Sequence, residues 1–110
     1  MQILIMDEIV VKPGMAGRFD KAYRGEYRSD AEKRGMKLEQ SWQNPPGFTP
    51  GEVPTTFYYV WSVEGVDGWW KMRITKRADG SDARYDKLAW WQSVGDLIEH
   101  RKRVMLTEIV

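Results

Sequence analysis

Thr56-Phe57-Tyr58-Tyr59-Val60-Trp61-Ser62-Val63 is the strongest strand signal in the chain. Four of these residues are aromatic and three are β-branched, the types that fit a pleated, packed surface. Phe57, Tyr59 and Trp61 alternate with Tyr58 and Val60, so bulky side chains emerge on both faces and both faces need cover. Just upstream, Asn44–Thr55 holds four of the five prolines and two glycines, which makes it an irregular connection. At about twelve residues it is long for its kind and reads as a lid over a pocket, with an arm onto a dimer partner as the other reading. Phe48 at its centre would plug the pocket mouth or anchor the arm.

Further upstream, Gln2–Lys12 is rich in Ile and Val and stops at Pro13–Gly14, as a central strand does. Met15–Arg34 follows with helical periodicity and ends at Gly35, a good residue for the position after a helix. Met36–Gln43 reads as a second strand, with Met36, Leu38 and Trp42 mostly in phase. Downstream, Asp67 caps a short helix over about Gly68–Arg77, and Ala78–Asp82 is a turn. Arg84–Glu99 reads as the last helix and Arg103–Val110 as the closing strand. The order β-α-β, loop, β-α-α-β predicts an α+β fold over a single domain, residues 1–110. It is a ferredoxin-like split βαβ, a four-stranded antiparallel sheet with helices on one face. A second copy of the chain is the economical cover for the other face, which predicts a homodimer.

Composition excludes several functions. Seventeen basic residues nearly cancel sixteen acidic ones, so no field steers the chain to nucleic acid or an anionic membrane. With no cysteine there is no disulfide framework or thiolate chemistry. MQILIMDEIVV lacks the basic start and cleavage site of a signal peptide, no segment is long enough to span a membrane, and a cytoplasmic location is expected. No GxGxxG, P-loop, GxSxG or HExxH pattern occurs, and one histidine without cysteine offers no metal cluster, so neither cofactor nor metal is expected.

The chain resembles the dimeric α/β-barrel superfamily, and within it the small NIPSNAP-like or stress-responsive-barrel domains. The resemblance rests on the opening strand ending in VVKPG, the helix carrying Phe19, Tyr23 and Tyr27, and Arg34-Gly35-Met36 entering the second strand. YYVWSVEG and the closing HRKRVMLTEIV add to it. It implies two protomers forming a dimeric α/β barrel, with a hydrophobic pocket between the sheet and helices of each. Proteins of this fold include cofactor-independent monooxygenases, cyclases, isomerases, haem-degrading enzymes and proteins without assigned activity, so the fold selects no reaction.

Six tryptophans exceed what a core this small needs, and suggest an aromatic-walled pocket. Its expected walls are Tyr23, Tyr59, Trp61, Trp69, Trp70 and Trp91, with Trp42 at the rim and Trp90 left to packing or subunit contact. At about 100° per residue, Met15, Phe19, Ala22, Tyr23 and Tyr27 share one side of the first helix, with Glu26 and Asp30 inside the same stripe. Arg73 lies at the centre of the apolar side of the second helix. The plain reading is an Arg–carboxylate pair at a layer edge. The functional reading makes Glu26 a general base, Tyr27 a further catalytic group and Arg73 the holder of a substrate anion. The expected activity is cofactor-independent isomerase, cyclase, lyase or monooxygenase chemistry on a hydrophobic, ring-containing molecule. A non-catalytic binding protein and a structural or stress-associated homodimer are the alternatives. His100 and its cations suit a helix C-terminus, and of Asp7 and Glu8 one must face an interior unless the strand end is solvated.

Overall fold

The computed structural model describes residues 1–47, 51–76, 82–84 and 89–109. Strand β1 (Gln2–Val11) leads into helix α1 (Ala16–Ala22), a π-helical turn (Tyr23–Tyr27) and helix α2 (Arg28–Lys33). Strands β2 (Lys37–Asn44) and β3 (Thr55–Glu64) follow, then helix α3 (Gly65–Arg73) and a short hairpin of β4 (Ile74–Lys76) and β5 (Asp82–Arg84). Helix α4 (Ala89–Ser93), a 3₁₀ turn (Gly95–Leu97) and strand β6 (Ile98–Thr107) close the chain. The main sheet runs β2-β3-β1-β6 with antiparallel neighbours. This is the expected split βαβ arrangement, in which β1 is central and β3 is inserted between β1 and β2.

Along β1, Ile3, Ile5, Asp7, Ile9 and Val11 are buried while Leu4, Met6, Glu8 and Val10 are half-buried. Along β3, Phe57, Tyr59, Trp61 and Val63 are buried, and Tyr58 and Val60 are half-buried. The buried rows face Phe19, Tyr23, Tyr27 and Ala31 of the first helical segment, forming one core. Those four helical residues are spaced by four. On a straight α-helix each such step overshoots a full turn by about 40°, and the row would drift off the sheet. The π turn is wound more loosely, cancels part of that drift, and keeps both tyrosines over the sheet. The segment ends as the sequence predicts. Gly35 takes φ +87°, its N–H bonds Glu32 O, and Met36 N–H bonds Ala31 O, the paired bonds of a Schellman motif.

Four boundaries differ from the sequence reading. The second helix begins at Gly65 rather than about Gly68, which puts Asp67 in its first turn instead of at its cap. The second helix stops at Arg73 rather than Arg77, because Ile74-Thr75-Lys76 enters the β4–β5 hairpin. Of the expected last helix, Arg84–Glu99, the described residues hold α-helix at Ala89–Ser93, while Arg84 belongs to β5 and Ile98 and Glu99 belong to β6. Strand β6 begins at Ile98 rather than Arg103, because the long central β1 pairs with it from Ile3–Thr107 to Val11–Ile98. Ladder bonding to β1 outweighs the local helical pattern there. His100 is thus an exposed strand residue opposite Val10, not a helix terminus. Most of the Ala78–Asp82 turn, Phe48 and Val110 lie outside the described residues. Among the described residues, no helix is long and apolar enough to cross a membrane.

Candidate functional site

The register of β1 places Asp7 directly opposite Tyr59 on β3 and Arg103 on β6, all on the helix-covered face. Asp7 is only 3% exposed, a carboxylate set in a row of isoleucines. A buried charge must be paired and hydrogen-bonded to persist, and this one is both. Arg103 donates from Nε to Asp7 Oδ1 at 2.6 Å and from Nη2 to Oδ2 at 2.9 Å, a two-point clamp. The Tyr23 hydroxyl donates to Asp7 Oδ2 at 2.7 Å and in turn accepts from Trp61 Nε1 at 2.7 Å. The Tyr27 hydroxyl accepts from Arg103 Nη2 at 2.7 Å and from Arg34 Nη2 at 3.5 Å. Arg34 also bonds Asp30 and the backbone carbonyl of Met72, which ties α2 to α3. Burial works against the charge on Arg103, but Asp7 and Tyr27 outweigh it and raise its pKa further. Burial and then Asp7 push the Tyr23 phenol well above the usual tyrosine range.

Tyr23 stacks on Tyr59 with ring centroids 3.8 Å apart and on Tyr27 at 4.7 Å. Trp90 and Trp91 pack against Tyr27 at 5.1 and 5.2 Å. Tyr23, Tyr27, Tyr59 and Trp61 are fully buried, so this layer is closed by its own rings. Among the described residues these four rings leave no surface open to a substrate.

Space opens at one end of the layer. Gly14, Ala16, Gly17, Asp20, Gln43, Gly47, Gly51, Thr55 and Phe57 line a cleft of about 440 Å³. A hollow of about 90 Å³ shares Asp20, Gln43 and Phe57 with it and adds Arg24, Ser41 and Trp42. Asp20 is the hinge between core and cleft. Its Oδ1 accepts from the Tyr59 hydroxyl at 2.8 Å and from Arg24 Nε at 3.0 Å. Burial first, and then the bond to Asp20, push the Tyr59 phenol above its usual range, so it remains a protonated donor. A carboxylate held by a buried phenol and a guanidinium thus stands at the wall of a cleft that Phe57 also lines. Among the described residues no three His, Cys, Asp or Glu side chains group as a metal site.

The expected site residues fall in several places. Tyr23, Tyr27, Tyr59 and Trp61 share the buried layer, and Trp91 borders it with the Arg101 guanidinium 4.1 Å over its ring. Glu26 does not point inward. It is exposed and accepts from Trp90 Nε1 at 3.0 Å, because the loosely wound π turn swings the residue three after Tyr23 out of the stripe. Arg73 is half-buried with its guanidinium 4.8 Å over the Trp69 ring. Glu26, Tyr27 and Arg73 thus engage three different sets of partners. Trp69 is half-buried, while Trp70, 52% exposed, makes an edge contact with it at 4.6 Å. Met72 is the buried residue of α3, so Trp70 faces outward.

Trp42 is 62% exposed and pairs with Tyr58 on the sheet face away from the helices. A bulge between Leu38 and Gln40 inserts one residue into β2, and such a slip turns the following side chains to the opposite face. From the sequence, Asp7 is one of two strand acids, with Glu8, of which one faces an interior; Arg103, Arg34 and Asp20 carry no site signal there. Asp7 left one signal there, a lone acid in the alternating row Ile3, Ile5, Asp7, Ile9 and Val11.

Comparison of the sequence with family models finds no match, and comparison with curated proteins finds none. Solved structures do match the fold. A NIPSNAP family protein from Agrobacterium tumefaciens superimposes with a TM-score of 0.65 at 14% identity, over 99% of this chain and 94% of its own. An uncharacterized NIPSNAP domain protein from Burkholderia xenovorans gives 0.64 at 16%, over 97% and 94%. A second A. tumefaciens NIPSNAP family protein, of unknown function, gives 0.64 at 15%, over 96% and 86%. The four-stranded antiparallel sheet and its covering helices are the ferredoxin-like fold that these NIPSNAP proteins share.

Proposed function

We propose that this protein binds a hydrophobic, ring-containing small molecule in the cleft beside Asp20 and moves a proton on it without a cofactor. The observation that supports this most is the Asp20 carboxylate, which lines the cleft while bonded to the buried Tyr59 phenol. In this reading Asp20 and Arg24, one turn apart on the first helical segment, take the roles of acid and cation in place of Glu26 and Arg73. Phe57 and the backbone of the four glycines offer flat walls to a ring. Asp20 takes a proton from carbon or oxygen of the substrate, and Arg24, facing the adjoining hollow, steadies the negative charge left behind. Isomerisation or lyase chemistry fits this pair.

The test is deuterium exchange from D₂O into a panel of cyclic ketones, lactones and phenols, with binding followed by tryptophan fluorescence. Asp20→Asn is expected to slow exchange roughly 100-fold or more while leaving binding within a few-fold. Saturable binding without exchange by the unaltered protein would leave a carrier. Absence of both would leave the structural reading.

One observation favours that structural reading. The Asp7–Arg103–Tyr23–Tyr27 network satisfies itself and needs no ligand. In either case we propose a homodimer, for which the face carrying Leu4, Met6, Val60 and Val104 is the natural contact.

A further inference from the structure

A second cleft, of about 580 Å³, lies on the other side of α1, between the first helical segment and the end of α4 with its 3₁₀ turn. Its floor is apolar: Val94 and Leu97 are buried beneath it and Ala22 is half-buried at its side. Arg18 and Lys21 line one end, both exposed, and Glu26 lines the other. From Arg18 to Glu26 the cleft follows about eight residues, roughly 12 Å at helical rise.

The two ends differ in how their charges are spent. Glu26 already accepts the Trp90 indole N–H. Arg24, Arg28 and Arg34 each hold an acid four residues away, respectively Asp20, Glu32 and Asp30. Among the described residues Arg18 and Lys21 have no such carboxylate. They line the cleft as the charges left for an outside anion.

Gly25 sharpens the point. It is not in a positive-φ conformation and an added Cβ would meet nothing within 4 Å, so neither backbone nor packing calls for glycine. Glycine inside a helical segment disfavours the helix relative to alanine. What its missing side chain provides is room in the cleft.

We propose that this cleft is a binding site for a small anionic amphiphile, a medium-chain carboxylate whose head meets Arg18 and Lys21 and whose apolar body lies along Ala22, Gly25, Val94 and Leu97. The site is separate from the Asp20 cleft, and either can fail without the other.

The probe is sodium octanoate, titrated by calorimetry against the full chain, with octylammonium as the charge control and sedimentation run in parallel. Saturable octanoate binding is expected, weaker in high salt, with octylammonium at least tenfold weaker. Arg18→Glu and Gly25→Leu should each weaken octanoate at least tenfold while the melting temperature is held or raised. Gly25→Leu is the steric block least able to harm the fold, since it adds helix propensity into open space. Loss in both variants, with exchange at the Asp20 cleft untouched, supports the site. No saturation, equal binding of octylammonium, or unchanged affinity in both variants overturns it. Variants that alter self-association without any octanoate binding would also overturn it, and would assign the cleft to a second copy of the chain.

Discussion

Tyr23 and Tyr59 keep their protons in the fold beyond the pH at which an exposed phenol ionises. Burial is the main cause for both, followed by Asp7 for Tyr23 and by the hydrogen bond to Asp20 for Tyr59. In the unfolded chain both titrate near pH 10. The sign follows from proton counting. Above that pH the unfolded state has lost protons that the folded state still holds, so stability falls as pH rises. The contribution is complete below about pH 10 and erodes above it, by about 1.4 kcal/mol per pH unit for each phenol. Urea denaturation between pH 9 and 11.5 should show this decline, and Tyr23→Phe should make it shallower. An equal slope in that variant would mean that Tyr23 ionises as freely in the fold as outside it.

At the scale of elements, the Asp7 network joins β1, β6 and the π turn through four side chains, two of them, Tyr23 and Tyr27, on the π turn. Removing one partner of a buried pair leaves the other uncompensated, which typically costs about 3–5 kcal/mol. Asp7→Ala and Arg103→Met are each expected to lose a comparable amount in urea denaturation, and the double variant much less than their sum. Additive losses below about 1 kcal/mol would make the clamp no stronger than a surface ion pair. The elements also show what a sequence reveals and what it hides. Ile3, Ile5, Ile9 and Val11 announce β1, and the alternation about Tyr59 announces β3, because a period of two is a local property. The bulge after Leu38 and the π turn at Tyr23–Tyr27 each shift phase by a fraction of a repeat. Glu26 therefore lies outside the stripe that the period predicts, and Trp42 turns to the far face while still bordering the hollow beside Asp20.

At the scale of the whole molecule, the helices among the described residues lie on one side of the sheet. The other face presents Leu4, Met6, Val60 and Val104, with Trp42, Tyr58, Glu8 and Lys102 in one row across it. A stable homodimer buries about 800 Å² on each partner, an area that four strands can supply. Sedimentation at micromolar concentration should give a dimer, and Val60→Lys should give a folded monomer by placing a charge at the centre of the contact. A monomer from the unaltered chain would sink this assembly. The order of the four main strands, the first helix and the chain's near-neutral charge follow from residues read in place, since periodicity, caps and turn residues act over a few positions. Which acid meets which cation is different. Asp7 finds Arg103 across 96 positions and Tyr59 finds Asp20 across 39. Such pairs depend on strand register and helix winding, and those are set when the elements pack together.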